Sequence, residues 1–133
     1  MYYVQYAHAR ISSVLGRVGE ARVEAAGTAG SAGAAGAGWA DGTELHPSER
    51  ALIRKLVALP EEVTEAAERR APHRIAVYAL ELAQGFTAFY RDCRVVGATP
   101  EGVESFRVAL SLASQQVLAL VLGLLGVSAP TSM

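Results

Sequence analysis

The first stretch of this chain carries aromatic and cationic side chains at intervals of three, four and seven residues. They are Tyr3, Tyr6, Arg10 and Arg17. These intervals place the four side chains on one face of a helix. Aromatic rings beside guanidinium groups can hold unpaired RNA bases and phosphates. Aromatic residues at helical spacing more often pack against the rest of their own molecule, and on the residues alone we favour that packing interpretation.

A second candidate site lies between residues 69 and 94. Five arginines and two acidic residues give this segment a net charge of +3 (five minus two), in a chain whose formal net charge is −1. Tyr90, Arg91 and Arg94 lie near its end, where a ring and two cations could stack on and pair with an RNA loop. A solvated helix face around a core phenylalanine would give the same pattern, so the residues alone leave both interpretations open.

A third group forms a polar stripe along an otherwise apolar segment near the end of the chain. Its members are Arg107, Ser111, Ser114 and Gln115. The stripe could contact RNA, or it could be the side of a helix that faces water. Spacing does not decide between these alternatives.

The sequence predicts no catalytic site and no metal site. His8, His46 and His73 are far apart, and no glycine-rich phosphate loop or pair of metal-ligand residues is present. The single cysteine, Cys93, falls on an apolar helix face, which indicates a buried and reduced thiol in a cytoplasmic protein.

Charge and hydropathy limit the expected partners. Twelve basic against thirteen acidic side chains give no bulk attraction to nucleic acid, so any RNA binding must use local patches, and DNA is not expected as a partner. The most apolar stretch, residues 117–127, is too short to span a bilayer, so no membrane is expected either.

Apolar periodicity and proline positions predict an all-α fold. We expect a single domain over residues 1–133, folded as a helical bundle of about five helices. A Gly/Ala-rich tract interrupts it and predicts a long disordered loop at 25–44. The expected helices cover about 2–19, start at Pro47 and at Pro60, run from Pro72 to about Val95, and run from Thr99-Pro100 to a stop at Gly126.

Several strings along the chain occur in the order that one family shows. They are Tyr2-Tyr3-Val4-Gln5-Tyr6-Ala7-His8-Ala9-Arg10-Ile11, Pro72-His73-Arg74-Ile75, Glu81-Leu82-Ala83-Gln84, Phe89-Tyr90-Arg91-Asp92-Cys93-Arg94-Val95 and Leu124-Leu125-Gly126-Val127-Ser128-Ala129-Pro130, followed by Met133. On these strings the chain resembles the C-terminal, DALR-type anticodon-binding domain of arginyl-tRNA synthetases, which are class I enzymes.

The resemblance implies that the chain recognises the anticodon stem-loop of arginine tRNA in the cytoplasm. A separate catalytic domain of the same synthetase would use ATP and arginine, and no cofactor would be held by this chain. The positions that match the family's tRNA contacts, or lie near them, are Tyr90, Arg91, Arg94, Arg107 and Met133. The family also implies an interface with the catalytic domain through Tyr3, Tyr6 and Arg10. Arg17 is assigned to a helix far from Tyr90, so it is expected to contribute little to RNA binding.

Some positions depart from the family pattern. Ser114-Gln115-Gln116 is neutral where many relatives are basic, Thr131-Ser132 replaces a charged pair, and Glu104-Ser105-Phe106-Arg107 is the nearest approach to the Asp-Ala-Leu-Arg tetrapeptide. These differences leave an alternative open: a stand-alone, non-catalytic helical module that binds RNA or a protein partner.

The family's catalytic signatures, His-Ile-Gly-His and Lys-Met-Ser-Lys, are absent from the chain. We therefore expect no arginine-dependent exchange of pyrophosphate into ATP by this chain alone, because nothing in it would bind ATP. The exchange assay measures this directly. A rate clearly above the protein-free background would contradict the expectation.

Overall fold

The computed structural model of the protein describes residues 2–19, 45–97 and 101–132, with only the backbone at 101 and 102. Five α-helices lie in these ranges: α1 (Tyr2–Val18), α2 (Pro47–Val57), α3 (Leu59–Glu68), α4 (His73–Asp92) and α5 (Glu101–Leu124). No strand occurs among the described residues, which confirms the predicted all-α class. The predicted loop at 25–44 lies outside the described residues, as do Thr99, Pro100 and Met133.

The start of α2 shows why a proline-led segment becomes a helix here. The His46 amide donates to the Glu49 carboxylate at 2.8 Å, and the Ser48 amide donates to His46 Nδ1 at 3.1 Å. Pro47 takes the first helical position, where its missing N–H costs nothing. This capping box satisfies amides that have no partner inside the helix, and it confirms the predicted start. The third helix begins at Leu59, one residue before the predicted proline.

The predicted end of α4 at about Val95 is wrong, because the helix ends at Asp92. Cys93 has an extended backbone, with φ −123° and ψ 126°. Cys93 and Val95 are each 2% exposed, while Arg94 between them is exposed. Alternate burial over three residues is the pattern of an extended chain, whereas a continuing helix would have turned Cys93 and Val95 toward nearly opposite faces. The predicted burial of the cysteine is confirmed.

The core is built around α4 and α1. The fourth helix contacts all four of the others, and α1 packs against α4 and α5. Side chains from every helix except the short α3 reach less than 2% exposure, and the largest are Tyr78, Phe86, Phe89, Ile11, Leu52, Leu82, Leu118 and Leu122. Burial of each such side chain contributes about 1.5–3 kcal/mol. This packing holds α1 beside α4, and that pairing forms the surface described below.

The last helix is the most apolar element. Residues Val103–Leu124 have a mean hydropathy of 1.5, and by length and composition alone this helix could cross a membrane. Its apolar side chains Val108, Leu118 and Leu122 are instead buried in the common core. Since α5 packs against α1, α2 and α4, it is a core helix of the bundle, as the sequence predicts.

Two leucines of α4 test this arrangement, because they are two residues apart and lie on nearly opposite faces of the helix. Leu82 is fully buried and Leu80 is 40% exposed. We expect Leu82→Ala to lower the free energy of unfolding by about 2–5 kcal/mol, because it leaves a cavity. The matched Leu80→Ala should cost less than about 1 kcal/mol. Urea denaturation measures both, and equal losses would contradict the orientation of α4.

Candidate nucleic-acid interface

Tyr90 near the end of α4 is enclosed by two arginines of α1. The Arg17 guanidinium donates to the Tyr90 hydroxyl at 2.8 Å, and the Arg10 guanidinium lies over the Tyr90 ring at 5.2 Å from its centre. Phe86, one turn earlier, stacks with the same ring at 6.1 Å and an interplanar angle of 15°. We call Arg10, Arg17 and Tyr90 the Arg–Tyr cluster. It joins an aromatic face to two cations at the surface.

The sequence expectation that Arg17 lies apart from Tyr90 is wrong. Seven residues separate Arg10 from Arg17, so they lie on one face of α1, about 10 Å apart along its axis. The Tyr90 side chain lies within reach of both. Helical periodicity identified the face correctly, but it carries no information about which helix packs beside it.

Tyr3 and Tyr6 lie on the surface rather than in the core. Their exposed fractions are 43% and 48%, so the favoured interpretation that they pack against the rest of this chain holds only in part. Tyr3 makes a 3.1 Å hydrogen bond with the Thr87 hydroxyl, which fixes its ring against α4. With Arg10 they form a continuous exposed row on α1. The predicted role of this row as an interface with another domain stays a prediction.

Arg91 carries a charge that its neighbour offsets. Its guanidinium donates twice to the Asp92 carboxylate, at 2.9 and 3.3 Å, and the Ser48 hydroxyl donates to the same carboxylate at 2.6 Å. The Arg91 hydrogen bond and then the Ser48 hydrogen bond lower the pKa of Asp92 to about 2. Asp92 is therefore ionised near neutral pH, and its charge, already counted in the net +3, offsets that of Arg91.

Arg107 ties three parts of the fold together. Its guanidinium pairs with the Glu49 carboxylate at 3.1 Å and donates to the Arg94 backbone carbonyl at 2.8 Å. The Arg107 and Glu49 side chains are 19% and 4% exposed. Arg94 is itself turned toward its own segment, since its Nε donates to the Val96 carbonyl at 2.9 Å. Both arginines have internal roles, and their predicted RNA contacts stay predictions.

The predicted polar stripe on α5 neither faces water nor is open to RNA at its serines. Ser111 and Ser114 are fully buried, and each hydroxyl donates at 2.9 Å to the carbonyl four residues earlier in its own helix. The Gln115 amide donates at 2.7 Å to the Ser12 hydroxyl of α1. The stripe is therefore part of the packed interior, because a serine that bonds to its own helix needs no partner elsewhere.

The chain that follows α5 returns to α1. Gln5 and His8 hold it there, and Ser132 lines a shallow groove with Tyr6, Arg10 and Ser13. We call this the tail groove. Since Arg10 belongs to both, the tail groove and the Arg–Tyr cluster form one continuous surface. Met133, a predicted RNA contact, lies outside the described residues.

Within the described part of the chain, no group of three or more histidine, cysteine, aspartate or glutamate side chains could hold a metal ion. The three histidines instead have separate structural surroundings. His46 caps α2, His8 binds a backbone carbonyl, and His73 starts α4.

The family model described as the DALR anticodon binding domain matches residues 4–133. The chain belongs to this family. The match confirms the resemblance drawn from the sequence strings, and it places the Arg–Tyr cluster within the matched region.

Relatives by sequence agree with this assignment. The chain is 41% identical over its whole length to an arginine–tRNA ligase of Desulfitobacterium hafniense, and 45% identical to that of Desulforudis audaxviator. It spans only 22% of the length of each. The chain is thus homologous to one part of these enzymes.

Solved structures show the same fold. The arginyl-tRNA synthetase of Thermus thermophilus superposes with a TM-score of 0.75 at 39% identity, over 98% of this chain and 21% of that one. A Campylobacter jejuni protein assigned as an arginyl-tRNA synthetase gives a TM-score of 0.80 at 26% identity, over 99% of this chain and 26% of that one.

The internal role of Arg107 has a measurable cost. We expect Arg107→Ala to lower the free energy of unfolding by about 2–4 kcal/mol, because the buried Glu49 carboxylate loses its counter-charge. Arg91→Ala, at a side chain that is 71% exposed, is the matched control. It should leave stability nearly unchanged, because an exposed ion pair contributes little.

Denaturation of both variants, alone and with Glu49→Gln, checks the cause. The cost of Arg107→Ala should shrink when Glu49 is already neutral. An Arg107→Ala variant as stable as the parent protein would show that the ion pair does not support the fold.

Proposed function

We propose that this chain binds the anticodon stem-loop of an arginine tRNA through the Arg–Tyr cluster. The observation that carries the proposal is the pairing of the Tyr90 ring with Arg10 and Arg17 at the surface of a DALR-family domain. Anticodon bases are unpaired, and proteins recognise such bases by stacking on aromatic and guanidinium planes.

Position and rigidity support Tyr90 as the stacking residue. The ring is half-buried, packs on the core and is held by Phe86 from its own helix. A base that stacks there meets a surface that is already ordered, so little side-chain entropy is lost on binding. Arg10 lies over the ring and Arg17 lies at its hydroxyl edge, so both guanidinium groups are placed to contact a bound base.

The charge distribution favours binding that is weak and only slightly dependent on salt. The chain has a net charge of −1, and the charge of Arg91 is offset by Asp92. Few arginines then remain to neutralise phosphates, and each neutralised phosphate adds about one unit to the slope of log affinity against log salt.

In the whole protein, this domain would present the tRNA to a catalytic domain that uses ATP and arginine to charge the tRNA 3′ end. The exposed row of Tyr3 and Tyr6 would contact that domain, and the protein would act in the cytoplasm. Support comes from the arginine–tRNA ligases to which the chain is similar over about a fifth of their length.

One motive for the alternative, a stand-alone module, is weakened by packing. Ser114 is fully buried, so its lack of charge removes no RNA contact. Gln115 is bonded to Ser12. The alternative becomes an outcome of the following test.

We expect Tyr90→Ala to weaken binding of an arginine anticodon stem-loop by about 1–3 kcal/mol, the usual cost of losing a base-stacking partner. Deletion of Met133 should act in the same direction. Arg17→Ala should weaken binding too, because the ring loses the hydrogen bond that orients it. Arg54→Ala, at an exposed arginine of α2, is the matched control and should leave affinity unchanged.

Titration by fluorescence anisotropy at two salt concentrations separates stacking from phosphate pairing. The Tyr90→Ala loss should persist at high salt, while losses in Arg91→Ala or Arg94→Ala should shrink. Unchanged affinity in both the Tyr90 and Met133 variants would favour the stand-alone module. No binding by the parent protein would exclude the proposal for this chain.

A further inference from the structure

The segment that follows α5 is folded back by a tight helix stop. Gly126 has φ +74°, a left-handed conformation that glycine adopts without strain. The Gly126 amide bonds to the Gly123 carbonyl at 3.0 Å, and the Val127 amide bonds to the Leu122 carbonyl at 2.8 Å. This pattern satisfies the last carbonyls of the helix and sends the chain in a new direction.

Residues 127–132, which we call the tail, then run along α1. Val127 and Ala129 are half-buried against the core, which anchors the first half of the tail. The Gln5 amide donates to the Ser128 carbonyl at 3.0 Å and to its hydroxyl at 3.3 Å. Both bonds are exposed to water, so each contributes little by itself.

The hydrogen bond from His8 to the tail is shorter and less exposed than the two from Gln5. The His8 Nδ1 lies 2.7 Å from the Pro130 carbonyl oxygen, and the imidazole is only 5% exposed. Because a carbonyl only accepts, Nδ1 carries the proton and donates it. This bond is partly shielded from water, where a hydrogen bond is stronger than in full solvent.

The tail ends beside the Arg–Tyr cluster. Ser132, two residues after the carbonyl that His8 holds, lines the tail groove with Tyr6 and Arg10. Arg10 lies over the Tyr90 ring. His8 therefore fixes the last point of the chain before it enters the candidate RNA surface.

We propose that His8 is a positioning residue for RNA binding: it holds Pro130 so that the end of the chain completes the surface formed by Arg10 and Tyr90. This inference rests on the proposed function. His8 does not touch the RNA itself, since its imidazole is buried under the tail. Its effect on affinity acts entirely through the residues after Pro130.

A double-mutant cycle tests this. His8→Leu replaces the imidazole with an apolar side chain of similar size that has no donor, and deletion of residues 132–133 removes the end of the tail while Thr131 keeps the Pro130 carbonyl in a peptide bond. In the full chain, we expect His8→Leu to weaken binding of the anticodon stem-loop several-fold, up to about tenfold, as one lost buried hydrogen bond allows. In the truncated chain the same substitution should change affinity less than about twofold.

Unfolding experiments separate this positioning role from a purely structural one. We expect the same loss of stability from His8→Leu in both lengths of chain, since Thr131 keeps the Pro130 carbonyl in a peptide bond in each. His8→Asn, whose amide nitrogen can donate from nearly the position of Nδ1, should restore most of the affinity. His73→Ala, at an exposed histidine about 25 Å along α4 from Tyr90, is the matched control and should have no effect.

Digestion with carboxypeptidase gives a readout that needs no RNA. Residues 131–133 should be released faster from His8→Leu than from the parent protein or His8→Asn. If the parent protein binds the stem-loop but His8→Leu weakens it equally in both chain lengths, or not at all, the inference is overturned and the proposed function stands. If the parent protein does not bind, both fall.

Discussion

The apolar face of α1 lies between α4 and α5, and the other features of the molecule depend on that contact. Val4, Ile11 and Val14 are at most 1% exposed there. Their burial fixes the rotation of the helix, so the opposite side must carry its aromatic and cationic residues outward. With the helix in this orientation, Arg10 and Arg17 contact Tyr90. Gln5 and His8 contact the tail. The core and the candidate RNA surface are two consequences of one packing arrangement.

The surface has a mixed electrostatic character that net charge conceals. The α4 end contributes a ring and an arginine that is matched by Asp92, whereas α1 contributes the two cluster cations. Arg107, which is also basic, is used inside the fold against Glu49. Such a division suits recognition of bases more than attraction to a phosphate backbone, because stacking acts at contact distance and tolerates salt.

Periodicity and capping residues predicted the five helices closely, since both signals are local in sequence. The end of α4 was missed because Cys93 continues the apolar period of the helix, and only the burial of Val95 two residues later marks the chain there as extended. For the candidate site, Tyr90 was predicted from the family, and its partners were not. No local pattern shows that the Arg17 guanidinium binds the hydroxyl of a tyrosine 73 residues later in the chain. The buried serines of α5 were missed for a related reason: their hydroxyls bond within their own helix, so they are polar in sequence and apolar in packing.

The folded-back tail has a practical consequence for anyone who handles this protein. Ser132 lies beside Arg10 in the tail groove, so a bulky group attached at Ser132 would stand next to the cluster. An affinity tag or a fluorescent label attached there would compete with RNA for the same space, and a polyhistidine tag would add imidazoles next to an arginine. The described end of the tail is therefore a poor place to attach any group.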